Sequence, residues 1–295
     1  MGEPGLPPVI GVIGGSGIYD IDGLTDLRWK AVETPFGPPS DDLLFGKLDG
    51  VDMVFLPRHG RGHVVGPTDL NFRANIEALK RSGVTEIISL SAVGSLDEKL
   101  TPGTFVIVDQ FVDRTFARVK SFFEPGLVAH VSMADPVCAR LGDHLIEAAA
   151  QCGIHAVPGG TYLVMEGPQF STRAESELYR SWNCQVIGMT NMPEAKLARE
   201  AEMCYATVAM VTDFDCWHPH EDDVTVDEVV RVLVENVDRA RSLVRAVVPK
   251  LATRTSSCGI GCHTGLDSAI ITAAEKRNPQ VAAKLDAVAG RVLNR

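Results

Sequence analysis

Asp213 and Asp215 lie two residues apart, directly after an apolar run over residues 206–211 that is typical of a buried strand. If the strand continues through both, their side chains point to the same face. Two carboxylates this close resist ionising together, so one stays protonated near neutral pH and can act as a general acid. Such a pair could bind a polar heterocycle outside the carboxyl end of the strand. The alternative is a solvated turn rich in aspartate.

The loop over residues 57–63 carries a different chemistry, because two arginines and two histidines follow an apolar strand there. Arg58 offers paired N–H donors to an oxyanion, and His59 can add another. His59 and His63 also have the i, i+4 spacing of a metal site, but glycines between them argue against a helix and no nearby acid completes the motif. An oxyanion site is favoured over a metal site, and a solvated loop remains the other alternative.

A glycine-rich turn over residues 14–17 follows the strand predicted over residues 9–13. Its backbone N–H groups would let an anion approach closely, and Ser16 adds a hydroxyl. The turn is not a dinucleotide fingerprint, because the third glycine position is Asp20, and no lysine follows to make a P-loop. A plain tight turn is an equal alternative.

Small and hydroxyl-bearing residues end two further predicted strands, with Ser91 and Ala92 after one and Thr190 after the other. They suit an inorganic oxyanion, together with the glycine turn and the arginine loop. Phe170 precedes a predicted helix, where it could staple the helix or stack on a flat ligand. An oxyanion site beside a heterocycle site suggests transfer between them through a sugar. The residues alone therefore indicate an enzyme that handles nucleosides or nucleotides.

Strands alternate with helices along the chain, which predicts one α/β domain over residues 1–252. Val226, at the start of a helix predicted over residues 224–248, belongs to the core or to an apolar pocket for a hydrophobic substituent. A polar break then begins a C-terminal extension, residues 253–295, with a helical tail expected to pack on the domain. Cys258, Cys262 and His263 in that break make only three candidate metal ligands. Free thiols are thus favoured over a local disulfide or a partial metal site.

Composition limits the classes of protein to consider. The chain has 295 residues and a formal net charge of −10, which argues against a nucleic-acid surface or a polybasic membrane patch. No apolar run approaches the about 20 residues that span a bilayer, and the first residues lack a signal-peptide pattern. Seven scattered cysteines suggest a reducing compartment, so we expect a cytoplasmic protein.

Seven short stretches together resemble the purine nucleoside phosphorylase superfamily and, within it, the 5′-methylthioadenosine phosphorylases. They include Gly14-Gly15-Ser16-Gly17 and Thr212-Asp213-Phe214-Asp215, and each would be weak alone. The stretches are residues 10–17, 34–37, 58–61, 109–115, 166–171, 189–190 and 212–217. Ser16 and Ser91 stand where many relatives carry threonine, and both keep the hydroxyl.

The resemblance implies a single α/β domain with a central mixed β-sheet flanked by helices, assembled as a homotrimer. It implies phosphate-dependent cleavage of S-methyl-5′-thioadenosine to adenine and 5-methylthioribose 1-phosphate, in purine and methionine salvage. Phosphate would be a co-substrate, with no metal and no other cofactor. The alternatives are a related phosphorylase that prefers 6-oxopurines such as methylthioinosine, a hydrolase, and a non-catalytic nucleoside-binding protein.

The resemblance also implies roles for individual residues. Asp213 would be the catalytic proton donor to purine N7, and Asp215 would accept from the 6-amino group. His130 would reach the 5′ pocket of the adjacent subunit. Phosphate would be held by Ser16, Arg58, His59, Ser91, Ala92 and Thr190. The nucleoside would contact Met189, Phe170 and Phe214, with specificity set by Ser171 and Val226.

Overall fold

The structure is a computed structural model that describes residues 8–15, 17–218, 226–253 and 258–294, without the side chains of residues 226–230 and 233. Its described part contains an eleven-stranded mixed sheet. The strands are β1 Val9–Gly14, β2 Leu24–Lys30, β3 Leu43–Leu48, β4 Val51–Pro57, β5 Val84–Ser95, β6 Phe105–Val108, β7 Gln110–Asp113, β8 Ala156–Pro158, β9 Thr161–Val164, β10 Val186–Gly188 and β11 Cys204–Asp213. The helices are α1 Phe72–Arg81, α2 Ala139–Gln151, α3 Arg173–Ser181, α4 Asn191–Glu200, α5 Val226–Ala252, α6 Pro279–Lys284 and α7 Asp286–Leu293.

The sheet is organised around β5, which pairs in parallel with β1 and β11 and, at its C-terminal end, antiparallel with β10. Gly94 of β5 lies opposite both Asp213 of β11 and Ile187 of β10. On the far side of β1, Gly14 lies opposite Pro57 at the end of β4. The carboxyl ends of β1, β4 and β11 therefore lie near the C-terminal half of β5. The parallel and antiparallel pairs together confirm the predicted α/β class with a mixed sheet.

Helices cover both faces of this sheet, which explains why β1 and β11 read as nearly continuous apolar runs. One core lies between the sheet and α1, α4 and α7. The other lies between the sheet and α2 and α5. The sequence did not predict β2, because six of its seven residues are exposed and polar side chains interrupt the apolar pattern.

The C-terminal extension is not the continuous helical tail that the sequence predicted. Its described residues 258–294 contain two short 3₁₀ turns followed by α6 and α7. Leu285 and Val288 are buried in the first core, and Arg291 pairs with Glu202 of the main body. Among the described helices, none has the length and apolar character needed to cross a membrane.

Candidate active site

Arg58 follows β4 directly, and its backbone N–H donates to the Gly14 carbonyl at 2.9 Å, so it sits beside the glycine turn. Its side chain is buried, and Nε donates to Glu194 Oε1 at 2.6 Å while Nη2 donates to Glu194 Oε2 at 3.2 Å. Burial alone would lower the pKa of Arg58, but the Glu194 carboxylate more than offsets it, so the pKa is raised. The guanidinium is therefore held charged in one orientation.

Glu194 lies in the first turn of α4 and was missed by the sequence analysis. Its Oε2 also accepts from Ser89 Oγ and Tyr205 Oη, each at 3.0 Å. Asn191 donates to the same tyrosine at 2.6 Å. A glutamate in a helical segment normally faces solvent, and no local signal shows that this one meets an arginine 136 residues away.

Hydroxyl groups gather next to Arg58. Its Nη1 donates to the Leu90 carbonyl at 2.8 Å, one residue before Ser91. Ser91 Oγ lies 2.9 Å from Thr190 Oγ1 and 3.0 Å from Tyr162 Oη. The antiparallel pairing of β10 with β5 brings these hydroxyls together although they are 99 residues apart.

Two other residues were predicted to hold phosphate, Ala92 and Ser16. Ala92 is half-buried on β5, next to Ser91. Ser16 lies outside the described residues. Tyr162 and Ser89 were not predicted, since a buried tyrosine in a strand reads from sequence as core.

His59 differs from its predicted role as a hydrogen-bond donor to an oxyanion. Its Nδ1 lies 2.9 Å from the Val65 carbonyl oxygen, which can only accept, so Nδ1 carries the proton. Burial and then the Arg58 charge lower the pKa of His59 to about 4. The ring is thus neutral at pH 7, with Nε2 as an acceptor. His59 and His63 stack face to face at 4.3 Å, and their backbone is not helical, so they do not form the helical metal pair.

The strand β11 ends at Asp213 and does not continue through Asp215, contrary to the condition for a same-face pair. Asp215 instead has a φ of 52° in a turn, and its N–H donates to Asp213 Oδ1 at 2.8 Å. Asp213 Oδ2 accepts from the Thr212 hydroxyl at 2.7 Å. An Asx-type turn, rather than strand alternation, therefore holds the two carboxylates together.

Asp215 is 6% exposed, so the solvated-turn alternative is wrong for it. Burial raises the pKa of Asp215, against the lowering effect of the Ser176 hydroxyl. Its Oδ2 is buried and makes no hydrogen bond of normal geometry among the described residues, although the Ser176 hydroxyl lies near enough to lower the pKa. Buried polar atoms are normally satisfied, so this oxygen is the acceptor that a ligand N–H would complete.

Gly94 provides the space beside these carboxylates. A Cβ added to it would lie 2.9 Å from Asp213 Oδ1 and 3.3 Å from the Asp215 Cβ. A side chain at this position of β5 would therefore push the aspartate turn away from the strand.

Phe170 and Ser171 belong to the segment that joins β9 to α3, and this segment contacts the same turn. Thr172 is the N-cap of α3, with a capping box to Glu175. Phe170 lies two residues before that cap and is 48% exposed, so it does not staple the helix. The Ser171 carbonyl accepts from Cys216 Sγ at 3.3 Å, which ties this segment to the aspartate turn.

The remaining predicted contacts surround these segments. Phe214 is buried and stacks on His218 at 4.6 Å. Met189 packs against Gly167, where an added Cβ would lie only 2.5 Å from the methionine sulfur. The Val226 side chain lies outside the described residues.

The two groups of residues lie next to different positions of the same strand, β5. Ser91 belongs to the group with Arg58 and Thr190, and Gly94 is paired with Asp213. Three residues of extended strand separate them, which is about 10 Å. That distance leaves room for a sugar between an oxyanion and a heterocycle.

Comparison with known proteins identifies the family of the chain. Residues 9–249 match the model of the family described as the phosphorylase superfamily. The fold and the site thus define a member of that superfamily.

Two curated relatives are S-methyl-5′-thioadenosine phosphorylases. The one from Rhodospirillum rubrum is 67% identical over 99% of this chain and 100% of the relative, and the one from Cereibacter sphaeroides is 62% identical over 98% and 99%. A crystal structure of methylthioadenosine phosphorylase from an antarctic soil metagenomic library is 48% identical, with a TM-score of 0.91 over 96% of this chain and 99% of that one. The methylthioadenosine phosphorylase from Schistosoma mansoni in complex with adenine is 37% identical, with a TM-score of 0.78 over 84% and 92%. The chain belongs to the S-methyl-5′-thioadenosine phosphorylases.

Proposed function

We propose that the protein cleaves S-methyl-5′-thioadenosine with inorganic phosphate, giving adenine and 5-methylthioribose 1-phosphate. The observation that carries this is the buried Oδ2 of Asp215, which makes no hydrogen bond to the described residues. Asp215 lies beside Gly94, and Gly94 is about 10 Å along β5 from Ser91. A carboxylate oxygen accepts from an exocyclic amine, as a 6-aminopurine requires. The names of the relatives point to the same substrate.

The phosphate half of the proposal rests on the donors around Arg58. Four described hydrogen bonds use four of its five N–H groups, leaving one on Nη1. That N–H, together with the Ser91 and Thr190 hydroxyls, would donate to phosphate oxygens. Neutral His59 would accept a hydrogen bond from the P–OH of monohydrogen phosphate through Nε2, which makes this site selective for a protonated oxyanion. Ser16 and Ala92 would complete the site from the turn and from β5.

The chemical step follows from where charge develops. A phosphate oxygen bonds to the ribose C1′ as the C1′–N9 bond breaks, and the electron pair of that bond goes to the purine. Phosphate stabilises the positive sugar, and a proton from the Asp213 carboxyl to N7 neutralises the leaving base. Phe170, Phe214 and Met189 would position base and ribose, and Ser171 and Val226 would shape specificity. The reaction as proposed uses no metal and no cofactor.

A related 6-oxopurine substrate is the second candidate. Burial raises the pKa of Asp215, and a protonated carboxyl could donate to a 6-oxo group. The two substrates therefore differ in the protonation state of Asp215 that each would select.

Product analysis of the purified chain with methylthioadenosine and methylthioinosine, each with and without phosphate, tests the proposal. We expect free adenine only when phosphate is present, and a higher kcat/KM for methylthioadenosine. Base release without phosphate would indicate a hydrolase, preference for methylthioinosine would indicate the 6-oxopurine phosphorylase, and no release would indicate a binding protein.

We propose in addition a homotrimer that acts in cytoplasmic purine and methionine salvage. His130 is exposed on the single chain, next to Val128 and Ile271. These two apolar side chains are 42% and 64% exposed, and the Ile271 N–H donates to the Val128 carbonyl at 2.9 Å. An apolar surface around an exposed histidine suits a subunit contact that completes the 5′ pocket. Light scattering should give three times the chain mass of 31.8 kDa. A stable monomer with full activity would contradict the shared pocket.

A further inference from the structure

Four cysteines from three distant segments meet in the second core, on the side of the sheet covered by α2 and α5. Cys138 precedes α2, Cys204 begins β11, and Cys258 and Cys262 belong to the C-terminal extension. All four side chains are at most 5% exposed. Their four Sγ atoms lie within 4.8 Å of one another. The sequence indicated only Cys258, Cys262 and His263 as candidate ligands, and His263 is exposed.

We propose that Cys138, Cys204, Cys258 and Cys262 bind one Zn²⁺ ion as a structural site. A tetrahedral ZnS₄ centre with bonds of about 2.3 Å has sulfur–sulfur edges of about 3.8 Å, which fits inside the observed spacing. Iron–sulfur clusters of four irons hold their cysteines farther apart, because each sulfur binds a different iron. Four protein ligands leave no open position, so the site is structural and not catalytic.

Two arginines and a backbone N–H donate hydrogen bonds to the sulfurs, and one of the arginines, Arg140, also pairs with Glu86 at 2.6 Å. The Cys262 N–H donates to Cys258 Sγ at 3.1 Å. Arg199 Nη1 donates to Cys262 Sγ at 3.5 Å, and Arg140 Nη2 donates to Cys204 Sγ at 3.7 Å. Zinc with four thiolates carries a net charge of −2, and these donors offset it. A cluster of four neutral thiols would not need such partners.

The site is far from the proposed chemistry and close to the extension. Cys204 and Asp213 are the two ends of β11, a strand of 10 residues, so they lie about 30 Å apart. Zinc would therefore join residues 258–262 to the start of β11 and to α2, rather than take part in phosphorolysis. Binding replaces four thiol protons by one Zn²⁺ and releases those protons to solvent, so affinity falls as pH decreases.

Metal analysis of the full-length chain, purified without chelator, tests the proposal. We expect about one zinc per chain, and tetrahedral Co²⁺ absorption in the visible range after exchange, because four thiolates give that spectrum. Metal-free protein whose non-reduced peptides contain disulfides among these cysteines would overturn it. So would metal-free protein with four alkylatable thiols, or iron in place of zinc. None of these readouts depends on phosphorylase activity.

Cysteine substitutions give a second, matched test. Cys258→Ser with Cys262→Ser should remove the zinc and make the melting temperature insensitive to chelator, whereas chelator should lower that of the wild type. Cys184→Ser changes a buried cysteine that is 3% exposed and outside the cluster, and it should retain one zinc per chain. A double variant that still binds one zinc would overturn the site. If the double variant does not fold, the wild-type metal content and cobalt spectrum still decide.

Discussion

Arg58 and Glu194 form a two-point ion pair in which the two side chains are only 3% and 1% exposed. Buried pairs of this kind contribute little net stability, but removing one partner leaves an unpaired buried charge. Here the pair has a further consequence, because it orients the guanidinium that is proposed to hold phosphate. Glu194 is thus a positioning residue for the phosphate site, although we do not expect it to contact phosphate.

Replacing Glu194 should weaken phosphate binding and the fold together. Glu194→Ala should lower the free energy of unfolding by roughly 3–5 kcal/mol, the typical effect of breaking a buried pair. Glu194→Gln keeps the shape of the side chain but removes its charge, and it should raise the KM for phosphate more than it lowers kcat. Steady-state kinetics and urea unfolding measure the two effects. Glu147→Gln, which breaks the exposed pair with Lys250, is the control and should leave both nearly unchanged. An unchanged phosphate KM in Glu194→Gln would contradict the positioning role.

Replacing Asp213 should affect the chemical step. Asp213→Ala should lower kcat by roughly 10²–10⁴-fold, the range for loss of a general acid, with little change in the KM for phosphate. Asp213→Asn can still accept from the Asp215 N–H but cannot transfer a proton, so it separates hydrogen bonding from proton donation. Single-turnover kinetics with methylthioadenosine measure the step directly. Near-wild-type turnover in both variants would contradict the role of Asp213 as proton donor.

Replacing Asp215 should change the choice of base. Asparagine tolerates the φ of 52° at this position, so Asp215→Asn tests chemistry without straining the turn. Its amide can donate to a 6-oxo group, and the ratio of kcat/KM for methylthioinosine over methylthioadenosine should rise about 10–100-fold. Leu178→Ala, on an exposed side chain of α3, is a control that should leave the ratio unchanged. A constant ratio in Asp215→Asn would remove this residue from base selection.

His59 should make the fold less stable as pH falls. Its pKa is about 4 in the folded chain and about 6.5 when unfolded, so the unfolded state binds more protons between these values. The stability is present above pH 6.5 and is lost as pH decreases toward 4, by about 2 kcal/mol at pH 5. His59→Asn should remove that dependence, because an asparagine side chain does not bind a proton in this pH range. The amide can still donate to the Val65 carbonyl, so the local hydrogen bond is kept. Urea unfolding of both proteins at pH 7.5 and pH 5 gives the comparison. Parallel loss of stability in the two would show that His59 is not the titrating group.

Local sequence patterns were sufficient to predict the features that depend only on residues close together in the chain. The apolar runs predicted β1 and β11 within about two residues, and alternation of strands and helices predicted the α/β class. Asp213, Asp215 and Arg58 could be chosen as candidates because each follows or ends an apolar strand, and strand ends are where ligands bind in such sheets. Ser91 was chosen on the same ground, but the prediction that its strand ends there is wrong, because β5 continues to Ser95. The resemblance of the short motifs then assigned them roles.

Contacts between distant segments were decided only by the tertiary structure. Glu194 pairs with Arg58 across 136 residues, and Cys138 and Cys204 join Cys258 and Cys262, although nothing near these residues in sequence marks either group. The Asp213–Asp215 pair shows the same limit at short range, because a left-handed turn and not strand alternation brings the carboxylates together. The sequence alone determined which side chains could do chemistry and which strands carry them. Only the packing of β5 against β1, β10 and β11 decided which of them meet, since burial, ion pairing and pKa depend on neighbours that the chain brings together by folding.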